Sequence, residues 1–386
     1  MNFDKIISRE GTHTEKYDNK IEKFGTEDVI PLWVADMDFP SSKTIQDALL
    51  NRVKHPIYGY TDYYDAYFDS IARWMQKAHD WQIQRESIAP INAIVTGLNL
   101  AVEALTNKGD GVIIQPPIYP PFYSAVKNQK RILLENELKI IDGRYEIDFE
   151  DFENKAKDAK LFVFCSPHNP TGKVFSKDNL EKLAYICKQN GVIIISDEVH
   201  ADLVYENNHI PIATLDDAKD ITITLNAPSK TFNVAGIVSA YAIIQNSSLK
   251  KQYHEIFQRY SLVQPTPISL CTTVAAYTQS DEWLDALLIY LKANLKYIKN
   301  RLVKMPKIKP MDIESTFLLW LNCKELHLGD KSLEAFFIKD AKLGLNTGIS
   351  FGRGGEGFMR LNFAVPRSIL EKAMNQIEEA YTKRVF

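Results

Sequence analysis

The sequence predicts an α/β protein: a mostly parallel sheet covered by helices, with a smaller α+β domain beside it. Three observations predict it. Short apolar runs without polar alternation recur between about residues 90 and 245, as they do in strands buried on both faces. Segments of helical periodicity separate these runs, which is what parallel crossovers need. A small polar cluster follows each run, where open α/β sheets place their ligands.

The elements follow in order. "AIVTG" (93–97) reads as a strand and "LNLAVEALTNKGD" as the helix after it, with Leu98, Ala101, Val102 and Leu105 on one face. "GVIIQPP" and "LFVFCSP" read as buried strands, "SKDNLEKLAYICKQN" as an amphipathic helix, and "GVIIISDE", "ITITLNAPSK" and "VSAYAII" as the remaining strands. After about residue 250 long charged helices take over, such as "DEWLDALLIYLKANLKYIKNRL". The strand-like "ESTFLLWLN" and "FMRLNFAV" lie beyond them. The expected division is a large domain at 46–282 and a small one made of 1–45 with 283–386. At 386 residues the chain exceeds what one small core serves.

Composition excludes several classes of function. A net charge of −3 gives no reason to expect nucleic acid or an anionic membrane surface as a partner. Cys165, Cys187, Cys271 and Cys323 are widely spaced with no C-x-x-C pair. That argues against a disulfide framework or a zinc site and fits a reducing compartment. The charged N-terminus lacks an apolar signal core, and no apolar run reaches the roughly 20 residues of a membrane span. A cytoplasmic protein is expected.

The polar clusters hold the candidate chemistry. Gly97, at a strand-to-helix turn, either cradles a phosphate with backbone N–H groups or only eases the turn. Asp197 follows an apolar run, so its carboxylate must be paired or must face a ligand cation. In "LNAPSKTFNVAG" (225–236), Lys230 is the single charge. It is either a surface lysine or a deliberately isolated amine. "GRGGEG" (352–357) matches G-x-G-x-x-G literally, but a strand-like run follows it where a dinucleotide site needs a helix. His200 has no histidine at i+4, so no metal site is expected.

Taken together, "NPTG" (169–172), "SDEVHADLVY" (196–205), "APSKTFNVAG" (227–236) and "FMRLNFAVPR" (358–367) resemble the fold-type I pyridoxal phosphate enzymes of the aminotransferase class I/II superfamily. "PLWVADMDFP" (31–40) and "YGYTDYY" (58–64) resemble its cystathionine β-lyase, or C–S lyase, branch of the MalY/PatB type. The resemblance runs from about residue 30 to the C-terminus.

The resemblance implies pyridoxal 5′-phosphate as cofactor and Lys230 as the amine joined to its aldehyde. Asp197 would pair with the ring nitrogen and Asn169 would donate to the ring hydroxyl oxygen. Gly97, Leu98 and Ser229 would hold the phosphate. Tyr119 would stack on the ring, unless it is core packing, and His200 would stand near the cofactor or serve structure alone. Arg360 would clamp the substrate carboxylate, with Trp33 beside the substrate or merely packed. Many relatives carry an arginine eight residues after the lysine; this chain has Val238. The missing donor would be Tyr60, with Tyr58 as fallback, reaching over from the other subunit of a homodimer with shared sites. Lys230, Tyr119 and Tyr60 form the expected catalytic set. The implied reaction is β-elimination of a sulfur amino acid. Transamination on the same residues and a regulatory protein that keeps the fold are the alternatives.

Overall fold

The computed structural model describes residues 1–206, 208–262 and 264–384. Its centre is a seven-stranded sheet of β1 (Ile88–Ile91), β2 (Gly111–Ile114), β3 (Ile132–Glu135), β4 (Ala159–Cys165), β5 (Ile193–Asp197), β6 (Thr222–Asn226) and β7 (Ala240–Ile243). Their spatial order is β1-β7-β6-β5-β4-β2-β3. β3, β2, β4, β5 and β6 run parallel, and β7 is antiparallel to both of its neighbours. Two buried clusters, one containing Leu161, Val163 and Ile195 and the other Phe162, Phe164 and Ile194, occupy opposite faces of the sheet. Alternate residues of one strand thus serve different cores, which explains its unbroken apolar runs.

Helices cover both faces, and their ends follow local chemistry. Lys177–Asn190 begins where the Ser176 side chain accepts from the Asn179 N–H and ends at Gly191, whose φ of 64° suits glycine. Pro267–Gln279 opens with a capping box between Thr266 and Ser269. No helix among the described residues is long and apolar enough to cross a membrane.

The expected strand at 93–97 is displaced. The strand is β1, and the helix already runs from Ile94 to Leu105. Three β-favouring residues therefore form a helical turn, packing having outweighed propensity. The half-exposed edge strand β3 also escaped the sequence reading.

A second sheet, antiparallel and four-stranded, combines β8 (Lys309–Pro310), β9 (Leu318–Asn322), β10 (Asn346–Thr347) and β11 (Phe358–Asn362) in the order β8-β9-β11-β10. Ile30–Pro31 pairs with Leu343–Gly344, tying the N-terminal segment to this part of the chain. Residues 33–39 then run past the carboxyl ends of the large sheet as a strap. Asn362 Nδ2 donates to the Val34 and Asp36 carbonyls, both at 2.6 Å. Asn233 accepts from the Met37 N–H at 2.9 Å and donates to the Met37 and Phe39 carbonyls.

Gly172 joins the two sheets. Its carbonyl accepts from the Glu314 N–H at 3.0 Å and the Ser315 hydroxyl at 2.9 Å. Its φ is +67°, and a Cβ would lie 2.6 Å from the Ile313 side chain. Gly172→Ala is expected to lower unfolding free energy by about 2–4 kcal/mol, from left-handed strain and overpacking together. Denaturant melts of parent and variant check it.

Candidate active site

A cavity of about 240 Å³ opens at the carboxyl ends of β4, β5 and β6, lined by Tyr119, Asn169, Asp197, His200, Ser229 and Lys230, among others. They come from four different turns. Asp197 is the last residue of β5, and His200 follows three residues later. Lys230 sits in the four-residue helix Pro228–Thr231 immediately after β6. Asn169 lies in the loop after β4, and Tyr119 is the N-cap of Pro120–Lys127.

Burial without an opposite charge defines the site. Lys230 Nζ donates to the Ala35 carbonyl at 2.7 Å, a neutral acceptor supplied by the strap. Burial holds its amine below the ordinary lysine range, opposed by Asp36 and Asp197 and reinforced by Arg360. Asp197 Oδ1 accepts one bond, from the Val199 N–H at 3.2 Å. Burial pushes its carboxyl up to about 7, against the Val199 bond and the Lys230 charge. His200 is pushed down to about 3 by burial and then by Lys230 and Arg360, and its Nδ1 lacks a partner among the described residues. The ring is neutral at physiological pH.

Arg360, on β11, adjoins the cavity behind Asn169. Its Nη1 donates to Asn169 Oδ1 at 3.0 Å, and its Nη2 donates to the Trp33 carbonyl at 2.9 Å and to Asn346 Oδ1 at 2.8 Å. All three acceptors are neutral, and Nε has no partner among the described residues. Burial lowers the guanidinium to about 10. The Phe351 ring lies under it at 4.9 Å. An oriented, buried cation that lacks a carboxylate suits an anionic ligand group.

Several expectations shift. Gly97 and Leu98 do not reach the cavity. The Gly97 N–H is already bonded to the Ala93 carbonyl, and a Cβ there would meet Ile91 at 2.5 Å and the Tyr253 hydroxyl at 2.9 Å. Gly97 is thus a packing glycine, and Leu98 is core. The cavity is lined instead by Ala93, Ile94 and Val95 at the N-terminus of Ile94–Leu105, where first-turn N–H groups lack intrahelical partners. The Trp33 ring turns away: its Nε1 donates to the Lys16 carbonyl at 3.1 Å, and it packs edge-on to Phe24. Only its backbone carbonyl serves the site. Tyr60 is 97% exposed and Tyr58 58%, so neither reaches the cavity within one chain. Val238 lines the cavity where an arginine was missed. The sequence reading overlooked the Ala35 carbonyl, Asn346, Asn233 and Asn362. Ala35, Asn233 and Asn362 lie within quoted motifs, where they had no assigned role, and Asn346 lies outside them.

The arrangement accepts a ligand with a cationic ring atom against Asp197 and an anion at the helix N-terminus. A carbonyl within reach of Lys230 and a second anionic group near Arg360 complete the fit. Comparisons agree with this chemistry. A family model described as aminotransferase class I and II matches residues 27–377. The cystathionine beta-lyase PatB of Bacillus subtilis is 40% identical over 385 residues, covering 98% of this chain and 100% of PatB. Protein MalY of Escherichia coli is 35% identical over 381 residues, covering 97% of each. The solved structure of a C–S lyase from Staphylococcus hominis, itself bound to pyridoxal phosphate, superposes with a TM-score of 0.93. It is 33% identical, with 100% of each chain covered. The chain belongs to the aminotransferase class I and II family.

Proposed function

We propose that this chain is a pyridoxal 5′-phosphate-dependent carbon–sulfur β-lyase. It converts an L-amino acid with a thiol or thioether on Cβ, such as cystathionine or a cysteine conjugate, to thiol, pyruvate and ammonia. The observation that carries the cofactor is the Lys230 amine, part-buried and oriented without a carboxylate partner, in one cavity with the unneutralised Asp197. The choice of β-elimination rests on full-length similarity to PatB and to the S. hominis C–S lyase.

When bound, the cofactor supplies a ring that accepts the electron pair released at the substrate's Cα. Asp197 is the counterion for its ring nitrogen. Asn169 Oδ1 is occupied by Arg360, leaving Nδ2 to donate to the ring hydroxyl oxygen. The Ile94 and Val95 N–H groups and the Ser229 hydroxyl hold the phosphate, and Tyr119 covers a ring face. His200 stays neutral beside Asp197 and adds no competing charge. Arg360 takes the substrate's α-carboxylate. Lys230 Nζ, favoured as a neutral amine by burial, takes the Cα proton as general base. Loss of that proton and of the Cβ sulfur, then addition of water, balances: cystathionine plus water gives homocysteine, pyruvate and ammonia.

We further propose a homodimer in which Tyr60 of each chain completes the phosphate site of the other. Ile57, Tyr58 and Tyr60 form an exposed apolar stretch without helix or strand, which supports a covered surface. The four cysteines are free, three of them buried, which supports a cytoplasmic location. The proposed domains, 46–282 and 1–45 with 283–386, follow the two sheets.

Incubation with L-cystathionine and no keto acid is expected to give pyruvate and thiol in equal amounts over many turnovers. Lys230→Ala should lower the rate by about 10²–10⁴-fold. A single turnover, renewed only by added keto acid, would make the protein an aminotransferase.

Subunit mixing tests Tyr60. Tyr60→Ala and Lys230→Ala dimers, each nearly inactive, should regain about a quarter of parental activity when randomly reassorted, since half the dimers then hold one intact site. No recovery would remove Tyr60 from the partner's site.

Asp197 gives a pH signature. Its folded pKa, about 7, lies above the ordinary 3.8. A raised acid costs nothing below 3.8; the cost grows as pH rises to about 7 and is constant above. In protein stripped of cofactor, Asp197→Asn should therefore be more stable than the parent above pH 7, by a few kcal/mol, and melt higher, with the gap closing toward pH 4. Thermal melts across this range measure it.

A further inference from the structure

We infer that Asp202 is a positioning residue for Lys230, acting through Thr231; this rests on the proposed role of Lys230. Pro228–Thr231 is a single turn of four residues, too short to hold its own shape. Thr231, the residue after Lys230, donates from its hydroxyl to Asp202 Oδ2 at 2.7 Å. Asp202 Oδ1 accepts from Trp74 Nε1 at 3.1 Å and pairs with His79 Nε2 at 2.9 Å. The His79 and Asp202 side chains are only 4% and 3% exposed, and Trp74 and Thr231 are buried.

Both outside anchors lie on one helix, Asp65–His79, which does not otherwise contribute to the cavity. Trp74 is itself fixed, stacked on Tyr277 at 5.1 Å and edge-on to Phe232 at 5.5 Å. The same layer continues under Asp197. The His79 and His209 rings meet edge-on at 5.6 Å, and His209 Nε2 pairs with Glu198 Oε2 at 2.8 Å. Glu198 Oε1 accepts from the Ser196 hydroxyl. A buried polar floor thus joins the residues flanking Asp197 to the residue after Lys230. It fixes the distance between the two groups on which the chemistry depends.

The charges that act on Lys230 are chiefly Asp36 and Glu15 from the N-terminal segment, Arg360 from β11 and Asp197 from β5. Asp202 works by geometry, through a hydroxyl, and its carboxylate is also held by His79 and Trp74.

The test compares the holoenzymes of Thr231→Val, Thr231→Ser, Asp202→Asn and the parent. Steady-state kinetics with L-cystathionine are measured alongside the pH titration of the cofactor's visible absorption band, which reads its junction with Lys230 without turnover. Thr231→Val is expected to lose about tenfold or more in kcat with KM changed less than about twofold. Its band midpoint should move by about half a unit or more. Thr231→Ser, which keeps the hydroxyl, should match the parent in both. Asp202→Asn should follow Thr231→Val; if it does not fold, the two Thr231 variants decide alone. Parental kcat and midpoint in Thr231→Val would overturn the inference, and so would a Thr231→Ser as impaired as Thr231→Val. A parent with the band but no lyase turnover would overturn the proposed reaction instead, leaving the midpoints to decide this inference.

Discussion

The structure turns on one constraint: Lys230, Asp197 and Arg360 are desolvated around one cavity without neutralising one another. Buried charges are normally paired, because losing water costs several kcal/mol per ion. Here each is oriented by neutral groups: Lys230 by the Ala35 carbonyl, Asp197 by the Val199 N–H, and Arg360 by one carbonyl and two side-chain amides. Neutral partners fix direction and leave the charge to be satisfied by a ligand. A carboxylate within 3 Å of Lys230 would hold it protonated, unable to act as a base.

The strap meets this constraint in an unexpected way. It carries two aspartates, Asp36 and Asp38, far from Lys230 along the chain; Asp36 acts on Lys230 in the fold. Arg9 takes both, at 2.6 and 2.8 Å, and Lys16, 0% exposed, pairs with Asp38 at 3.1 Å and Asp36 at 3.7 Å. Tyr17 donates to Asp38 as well. The acids are thereby turned to the N-terminal segment, and the backbone carbonyl between them and Trp33 is what Lys230 meets. Asn233 and Asn362 hold that backbone in place with five hydrogen bonds between them. Reading residues 1–25 as a solvated leader would miss that they quiet the charge beside the site.

Much of this was legible in the sequence, and the pattern of what was not is physical. Asp197, Asn169, His200, Ser229, Tyr119 and Lys230 all follow apolar runs, and strand direction brings such residues to one edge; order along the chain was enough to group them. Gly97 and Leu98 failed because the helix starts at Ile94, where Ile-Val-Thr looks like strand and only packing against β6 and Tyr253 makes it helix. The Ala35 carbonyl and the Ile94 and Val95 N–H groups are invisible for a deeper reason. A backbone donor or acceptor is the same atom in every residue, so its use leaves no letter behind. Trp33 was the converse error: its conspicuous side chain serves the N-terminal cluster, and its anonymous carbonyl serves Arg360.

The phosphate end shows why one chain does not close the argument. Helix N–H groups and Ser229 are polar but uncharged, and Val238, 56% exposed, stands at the rim where a cation would be expected. A helix N-terminus contributes on the order of half a charge, short of what a dianion demands. The shortfall coincides with an aromatic stretch, Tyr58 and Tyr60, that the described residues leave largely exposed. On the proposed dimer both deficits are removed by one contact: the aromatic stretch is buried, and Tyr60 adds a donor at the phosphate. Cofactor retention and subunit association then become a single equilibrium, since whatever weakens one withdraws a ligand from the other.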